Sequence, residues 1–310
     1  MQKTPKIGLA LGSGGAYGFA YLGVFEELEK AKIPVYCISG CSIGAIIGGL
    51  YAAGASVEQM TKFAKKLRFL QIIDFGLGGL GFVKGNRAVK QLRKAFELFK
   101  IDENIENCKI KFGCKATDLL SAKSVAMTSG SLIDAMRASF SIPGVFRPYE
   151  KDGMFFIDGG PICRVPVRLA KELGADFVVG IDCVGSNLPM KREELNSYAK
   201  LITRIMYIMD YNASIHEMNE ADILIDMHQE GVDTLSLKSM EKSIKYGKKY
   251  GKILVKQLKE KFDFKSAVSS TNKENDSTNN SKIKVWKCLP QCKWKIKVKL
   301  KNGNNYNANK

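Results

Sequence analysis

Apolar and polar positions along the chain switch repeatedly between two periods, and the switches predict a succession of strands and helices. Lys6–Leu11 is a continuous apolar run of strand length, followed by Gly12-Ser13-Gly14-Gly15-Ala16-Tyr17-Gly18. From there to about Lys30, Tyr21, Val24, Phe25 and Leu28 recur at helical spacing, which gives that helix one face to pack on a sheet. Pro34–Ser39 reads as a second strand and Ala45–Ala53 as a second, small-residue helix. Strand–helix–strand–helix within so short a span predicts a parallel sheet with crossover helices. Ser56–Leu67 is a further helix, with Ser56 as N-cap and Gln59 placed to complete a capping box.

The same reading continues downstream. Asn86–Phe99 is helical and basic on one face, and Lys109–Thr117 and Ser124–Thr128 alternate as strands around a turn at Leu120-Ser121-Ala122. Ser131–Phe140 is a short helix, Ser141–Pro148 a rigid loop and Met154–Ile157 a strand that ends at Asp158-Gly159-Gly160. Helices follow at Val167–Leu173, Lys191–Met218 and Leu237–Lys261, and strands at Asp176–Asp182 and Asp222–Met227. Residues 263–281 are expected to form a disordered polar linker. Beyond it, residues 282–310 form a separate cationic tail in which lysine alternates with Ile, Val and Trp around Leu289-Pro290-Gln291. That is the pattern of a hairpin whose apolar face cannot bury itself alone, so an anionic membrane surface and loose packing on the domain are both open for it.

Charge sharpens this division. The 310 residues carry a net charge of +17, and Lys265–Lys310 alone holds eleven lysines against Glu274 and Asp276. Such a surface favours anionic partners: acidic lipid headgroups first, with tail-driven nucleic-acid binding a weaker option and none expected. No apolar run reaches the ~20 residues of a membrane span, and the N-terminal apolar patch breaks on glycines like a first strand rather than a signal peptide. The expectation is a cytoplasmic protein, peripheral on the inner membrane face. Eight scattered cysteines without a C-x-x-C pair, and only His216 and His228, suit a reducing compartment and disfavour a structural zinc site.

The candidate chemistry centres on Gly40-Cys41-Ser42-Ile43-Gly44, a G-x-S-x-G match between a strand and a helix. A sharp turn there pushes the serine side chain out beside the free N–H groups of a helix N-terminus, and a Cβ at Gly40 or Gly44 would collide with the neighbouring strand or helix. Ser42 then needs a base. Histidine would be the usual partner, and the order Ser42, Asp182, His228 is possible on paper; the other option is a carboxylate, with Asp158, Asp118 and Asp182 all ending strands. An aspartate serves at neutral pH only if desolvated and bonded to the serine hydroxyl. The loop Gly12–Gly18 would emerge at the same sheet edge, and the N–H groups of Gly14 and Gly15 are the candidates to hold an oxyanion. Nucleotide phosphate is the rival use of this loop, which lacks the P-loop Gly-Lys-Ser/Thr ending. Gly76, Gly78 and Gly81 form a literal G-x-G-x-x-G that opens no helix at its third glycine; the segment Ile73–Phe82 reads either as a pliant loop or as an apolar flap over a greasy substrate.

Taken in order, the glycine loop, Gly40–Gly44 and Asp158-Gly159-Gly160 resemble the patatin-like phospholipase family, its bacterial branch most of all. The resemblance runs from about Lys6 to Leu258 and takes in Ala116-Thr117-Asp118, Arg137-Ala138-Ser139, Ile142–Phe146 and Gly174-Ala175-Asp176. It implies a three-layer α/β/α fold with a mostly parallel central sheet over residues 1–262. It also implies a lipid acyl hydrolase of the phospholipase A or lysophospholipase type, with Ser42 as nucleophile and Asp158 as base, and without histidine, metal or other cofactor. Three departures stand out. Ser13 replaces the first glycine of the family's Gly-Gly-Gly-x-Lys/Arg-Gly motif and Tyr17 its basic residue, and Cys163-Arg164 stands where an Asn-Pro pair is common. Tyr17 keeps open a catalytically idle membrane- or nucleotide-binding module on the same fold.

Overall fold

Ile7, Leu9 and Leu11 of the first strand point to one side of the sheet and Ala10 to the other, and this alternation separates two helical layers. The computed structural model describes residues 5–76, 80–185, 192–233, 237–262 and 264. In chain order the elements are β1 (Ile7–Leu11), α1 (Ala20–Lys30), β2 (Cys37–Cys41), α2 (Ile43–Ala53), α3 (Val57–Lys66), α4 (Asn86–Phe99), β3 (Lys111–Asp118) and β4 (Lys123–Met127). There follow α5 (Leu132–Ser139), β5 (Tyr149–Lys151), β6 (Met154–Asp158), α6 (Val167–Glu172), β7 (Phe177–Asp182), α7 (Tyr198–Met218), β8 (Ile223–Asp226) and α8 (Met240–Lys261). The larger core lies between the sheet and α1, α2, α5 and α8; a smaller one under α6 and α7 gathers Ala10, Val167, Ala170, Val178 and Met218. The result is the expected three-layer α/β architecture.

The sheet is mixed. β3, β2, β1, β7 and β8 run parallel in that spatial order, while β4 and β6 pair antiparallel with β3 and β5 with β6. Ser56 caps α3 in the capping box read from the sequence, accepting from Gln59 N–H while the Gln59 side chain accepts from Ser56 N–H. Three differences from the predicted elements have local causes. β2 starts at Cys37 and keeps Ser39, Gly40 and Cys41 in the strand, so the turn is Ser42 itself. α7 starts at Tyr198, because the Ser197 side chain accepts from Lys200 N–H and caps it there; Arg192–Glu194 form a separate 3-10 turn. β5 is a three-residue strand too short to show a period. No helix among the described residues is long and apolar enough to cross a membrane. The cationic tail at 282–310 and, but for Phe264, the linker at 263–281 lie outside the described residues.

Candidate active site

Ser42 sits at the step from β2 into α2 with φ 54° and ψ −120°, a backbone conformation that costs a non-glycine residue on the order of 1–3 kcal/mol. Its surroundings hold it there. The Ser42 carbonyl accepts from Ala45 and Ile46 N–H, and Ser42 N–H donates to Ser139 Oγ at 2.8 Å, whose hydroxyl donates to the Lys115 carbonyl at 2.7 Å. Both elbow glycines are needed for the reason the sequence suggests. A Cβ on Gly44 would lie 2.3 Å from the Leu11 carbonyl oxygen at the end of β1, and one on Gly40 would meet Ala45 N at 2.6 Å.

The partner carboxylate arrives by strand register. β2 pairs with one edge of β3 until Cys41 stands opposite Lys115, and β4 occupies the other edge. On the first edge β6 runs the opposite way and ends with Asp158 opposite Ala116. The two strands therefore meet head-on at consecutive positions of β3. At the junction a Cβ on Gly159 would lie 2.5 Å from the Lys115 carbonyl oxygen and 2.9 Å from Cys41 Sγ, so only glycine lets the chain turn away. This brings Ser42 and Asp158 to the same small cleft, with the serine hydroxyl near enough to lower the Asp158 pKa, and both residues are 3 % exposed. Burial pushes the Asp158 carboxyl up to about 6, against the pull of hydrogen bonds from Ser42, from Gly160 N–H at 2.8 Å and from the Cys41 thiol.

The glycine loop closes the site from the β1 side. Gly12 N–H donates to the Ile181 carbonyl and Ser13 N–H to the Arg164 carbonyl; Gly14 and Gly15 take φ 149° and 56° before a 3-10 turn at Gly15–Phe19 leads into α1. Gly18 packs against Ile43, where a Cβ would come within 2.3 Å. The brace expected from a basic residue at Tyr17 comes instead through its backbone carbonyl, which accepts from Gln229 Nε2 at 2.9 Å and Ser243 Oγ at 2.8 Å. Gly14, Gly15 and Gly160 share with Ser42, Asp158 and Ile142 a small cleft of about 40 Å³, roofed by Thr203, Met206, Tyr207 and Asp210 of α7. On its other side Ser42 opens into an apolar groove of about 600 Å³ that runs past Ile46, Leu50, Phe63, Leu92, Phe99 and Phe140.

Other carboxylates weighed from the sequence are employed elsewhere. Asp118 accepts from the Ser121 hydroxyl, from Phe155 N–H and from Leu120 and Ser121 N–H at the β3–β4 turn, which holds its carboxyl below the usual range. Asp182 receives Arg164 Nη2 at 2.8 Å and Nε at 3.1 Å, both groups fully buried. His228 donates its backbone N–H to the Tyr250 hydroxyl, and neither histidine lines a cavity that Ser42 opens into. The order Ser42, Asp182, His228 is therefore not assembled. Of the segment Ile73–Phe82, Phe75 and Phe82 stand exposed at the rim of the groove, joined by a Gly76 N–H to Phe82 carbonyl hydrogen bond, and Val83 bridges to Phe146. That placement favours the flap reading.

Two residues at the site carry no sequence signal of comparable strength. Ser139, which ties Ser42 N–H to β3, falls in the Arg137-Ala138-Ser139 landmark of the resemblance, but its place in an amphipathic helix gives no sign of this role. Asp210 is the sole carboxylate between Tyr198 and Ser214, a hint visible in the sequence. Its Oδ1 lies 3.5 Å from Arg164 Nη1. Burial pushes Asp210 up to about 7, with Arg164 pulling it down and Asp182 and Asp158 pushing it up.

A family model described as patatin-like phospholipase matches residues 9–171. An uncharacterised NTE family protein of Mycobacterium bovis is 33 % identical over 209 residues, which are 66 % of this chain and 57 % of that protein. Lysophospholipase nte1 of Emericella nidulans is 38 % identical over 186 residues, 58 % of this chain and 12 % of the relative. The chain thus matches little more than half of the first relative and a small part of the second. Among solved structures, VipD from Legionella pneumophila shares the fold with a TM-score of 0.56 at 16 % identity, over 82 % of this chain and 67 % of that one.

Proposed function

The chain belongs to the patatin-like phospholipase family, and on that premise we propose that it is a lipid carboxylic ester hydrolase of the phospholipase A or lysophospholipase type, working through Ser42 and Asp158. The observation that carries this reading is that Ser42 and the buried Asp158 carboxylate share one small cleft, and that Ser42 also opens into a large apolar groove. An acyl chain lies in the groove, whose volume is in the range of small-molecule sites. Asp158 takes the proton of Ser42 Oγ as the oxygen attacks the ester carbonyl carbon, and Gly14 and Gly15 N–H groups receive the oxyanion, a role worth about 3–4 kcal/mol per donor. Asp158 returns the proton to the leaving alcohol, and water then hydrolyses the acyl-serine. The lysophospholipase name of a relative supports the substrate class.

Membrane association fits the surface around the mouth of the groove. Phe75, Leu80 and Phe82 of the flap are exposed, and so are Tyr198, Leu201, Ile205, Ile208 and Met209 on the outer side of α7. The flap leans on residues 145–147, and Gly144 lies next to Ile202, so the two patches are neighbours. Between Phe75 and Phe96 the charged residues are Lys84, Arg87, Lys90, Arg93 and Lys94, and between Tyr198 and Met209 they are Lys200 and Arg204. An apolar rim beside these cations, with Asp74 turned to the start of α4 and Glu103 paired to Arg93, suits an anionic bilayer, and the tail at 282–310 adds to the same attraction.

The test is hydrolysis of phospholipid, lysophospholipid and simple ester panels by the full chain and by Ser42→Ala. The expected result is ester turnover by the wild type and a loss on the order of 10³-fold or more in the variant, with its unfolding transition retained. Turnover that survives the substitution contradicts the reading.

A further inference from the structure

Beside Ser42, Asp158 also belongs to a second constellation, whose other two members the acylation step does not use. A methyl carbon built on Gly160 would have three nearest neighbours, all oxygens: Asp158 Oδ1 at 3.1 Å, Asp210 Oδ2 at 3.3 Å and Ser13 Oγ at 3.4 Å. The three come from different elements, the end of β6, the middle of α7 and the glycine loop, and they converge on the small cleft that also contains Ser42. Ser13 is 4 % exposed, and its hydroxyl has no hydrogen-bond partner among the described residues. A buried hydroxyl without a partner costs about 1–3 kcal/mol, so a cleft that aims one at two carboxylates is built for a polar occupant. About 40 Å³ admits a water molecule, while the apolar groove of about 600 Å³ offers the larger space for an acyl chain.

We propose that Ser13, Asp158 and Asp210 form the binding site of the hydrolytic water, and that Ser13 and Asp210 are positioning residues for deacylation. The inference rests on the hydrolase reading given above. In the acyl-enzyme the water donates one hydrogen to Asp158 and the other to Asp210 Oδ2, and accepts from the Ser13 hydroxyl. One lone pair is left to face the acyl carbon. Attack forms the bond between water oxygen and acyl carbon, and the water proton passes to Asp158. The bond to Ser42 Oγ then breaks, Ser42 takes the proton back from Asp158, and the carboxylic acid leaves. Arg164 holds the opposite oxygen of Asp210, which fixes Oδ2 towards the cleft. Serine in place of the family's first motif glycine thereby gains a role: it supplies the third side of the cradle.

The experiment separates acylation from deacylation in the full chain, using p-nitrophenyl butyrate in a stopped-flow instrument. The variants are Ser13→Ala, Asp210→Asn and Gly160→Ala, the last of which pushes a methyl carbon in among the three oxygens and narrows the space left for the water. For Ser13→Ala the expected result is a steady-state rate at least tenfold lower, with the first-turnover release of p-nitrophenol within about twofold of the wild type. A burst then appears or grows, and intact mass shows butyryl-Ser42 accumulating. Gly160→Ala is expected to show the same split more strongly. The rate at which a fluorophosphonate labels Ser42, which needs no water, reports that the nucleophile is still in place. Parallel loss of the first turnover and the steady state in all three variants overturns the proposal, and so does an unchanged steady state in Ser13→Ala. A wild type with neither first turnover nor labelling would instead remove the hydrolase reading itself.

Discussion

Asp158 is a carboxylate placed where charge is costly, and that cost has a sign. Its pKa in the folded chain is raised from 3.8 to about 6 by burial. Between those values the folded chain keeps a proton that the unfolded chain has released, so this residue's contribution to stability falls as pH rises from about 4 to 6. The penalty is complete above that window and amounts to about 3 kcal/mol at most. Asp158→Asn removes the charge and keeps the shape. It is expected to inactivate the enzyme and yet to unfold at higher urea than the wild type at pH 8, by about 2 kcal/mol, with little difference at pH 4. Urea titrations at the two pH values check this, and a variant less stable than the wild type at pH 8 contradicts it. The same residue shows where reading the sequence stops. The two glycines after Asp158 mark it out, but Asp118 and Asp182 also end strands and the bare pattern does not exclude them. The resemblance selects Asp158, and the register shows why: β6 alone shares the β3 edge with β2 and runs towards it.

At the scale of elements, the elbow was legible because it rests on local rules. Gly40 and Gly44 are required by contacts within a few residues of Ser42 or with the adjoining strand end. The start of α7 was not legible because the charged residues Lys191–Glu194 suit a helix by propensity as well as those that follow; the cap at Ser197 decides it. α7 also departs from the usual amphipathic plan. Its inner side holds Asp210 and Tyr207 over the cleft, and its outer side carries Leu201, Ile205 and Ile208 into solvent. An apolar outer stripe next to the groove predicts that α7 and the flap meet the lipid surface together. Binding to vesicles of phosphatidylcholine and phosphatidylglycerol is best measured in the Ser42→Ala background, where no substrate is consumed. Leu201→Gln, Ile205→Gln and Ile208→Gln combined are expected to weaken binding at least tenfold, and deletion of 282–310 to weaken it further at low salt. Unchanged vesicle affinity in the triple variant contradicts a role for α7. Loss of binding on tail deletion alone would assign the membrane contact to the tail.

For the whole molecule, the parallel half of the sheet follows from the strand–helix alternation of the first fifty or so residues. The antiparallel half does not, because β4, β5 and β6 are short and their partners are set by long-range register. Yet it is the meeting of the two halves on β3 that creates the site. The parallel half delivers the hydroxyl, the antiparallel half delivers the carboxylate, and α7, held through Arg164, closes the cleft above them. The most direct test of this arrangement is the pH dependence of Ser42 labelling by a fluorophosphonate, with the labelled residue identified by peptide mass. The expected result is a rate that rises with pH around a midpoint of about 6 in the wild type, and a slow rate without that midpoint in Asp158→Asn. A label on another residue, or the same profile in both proteins, would contradict it.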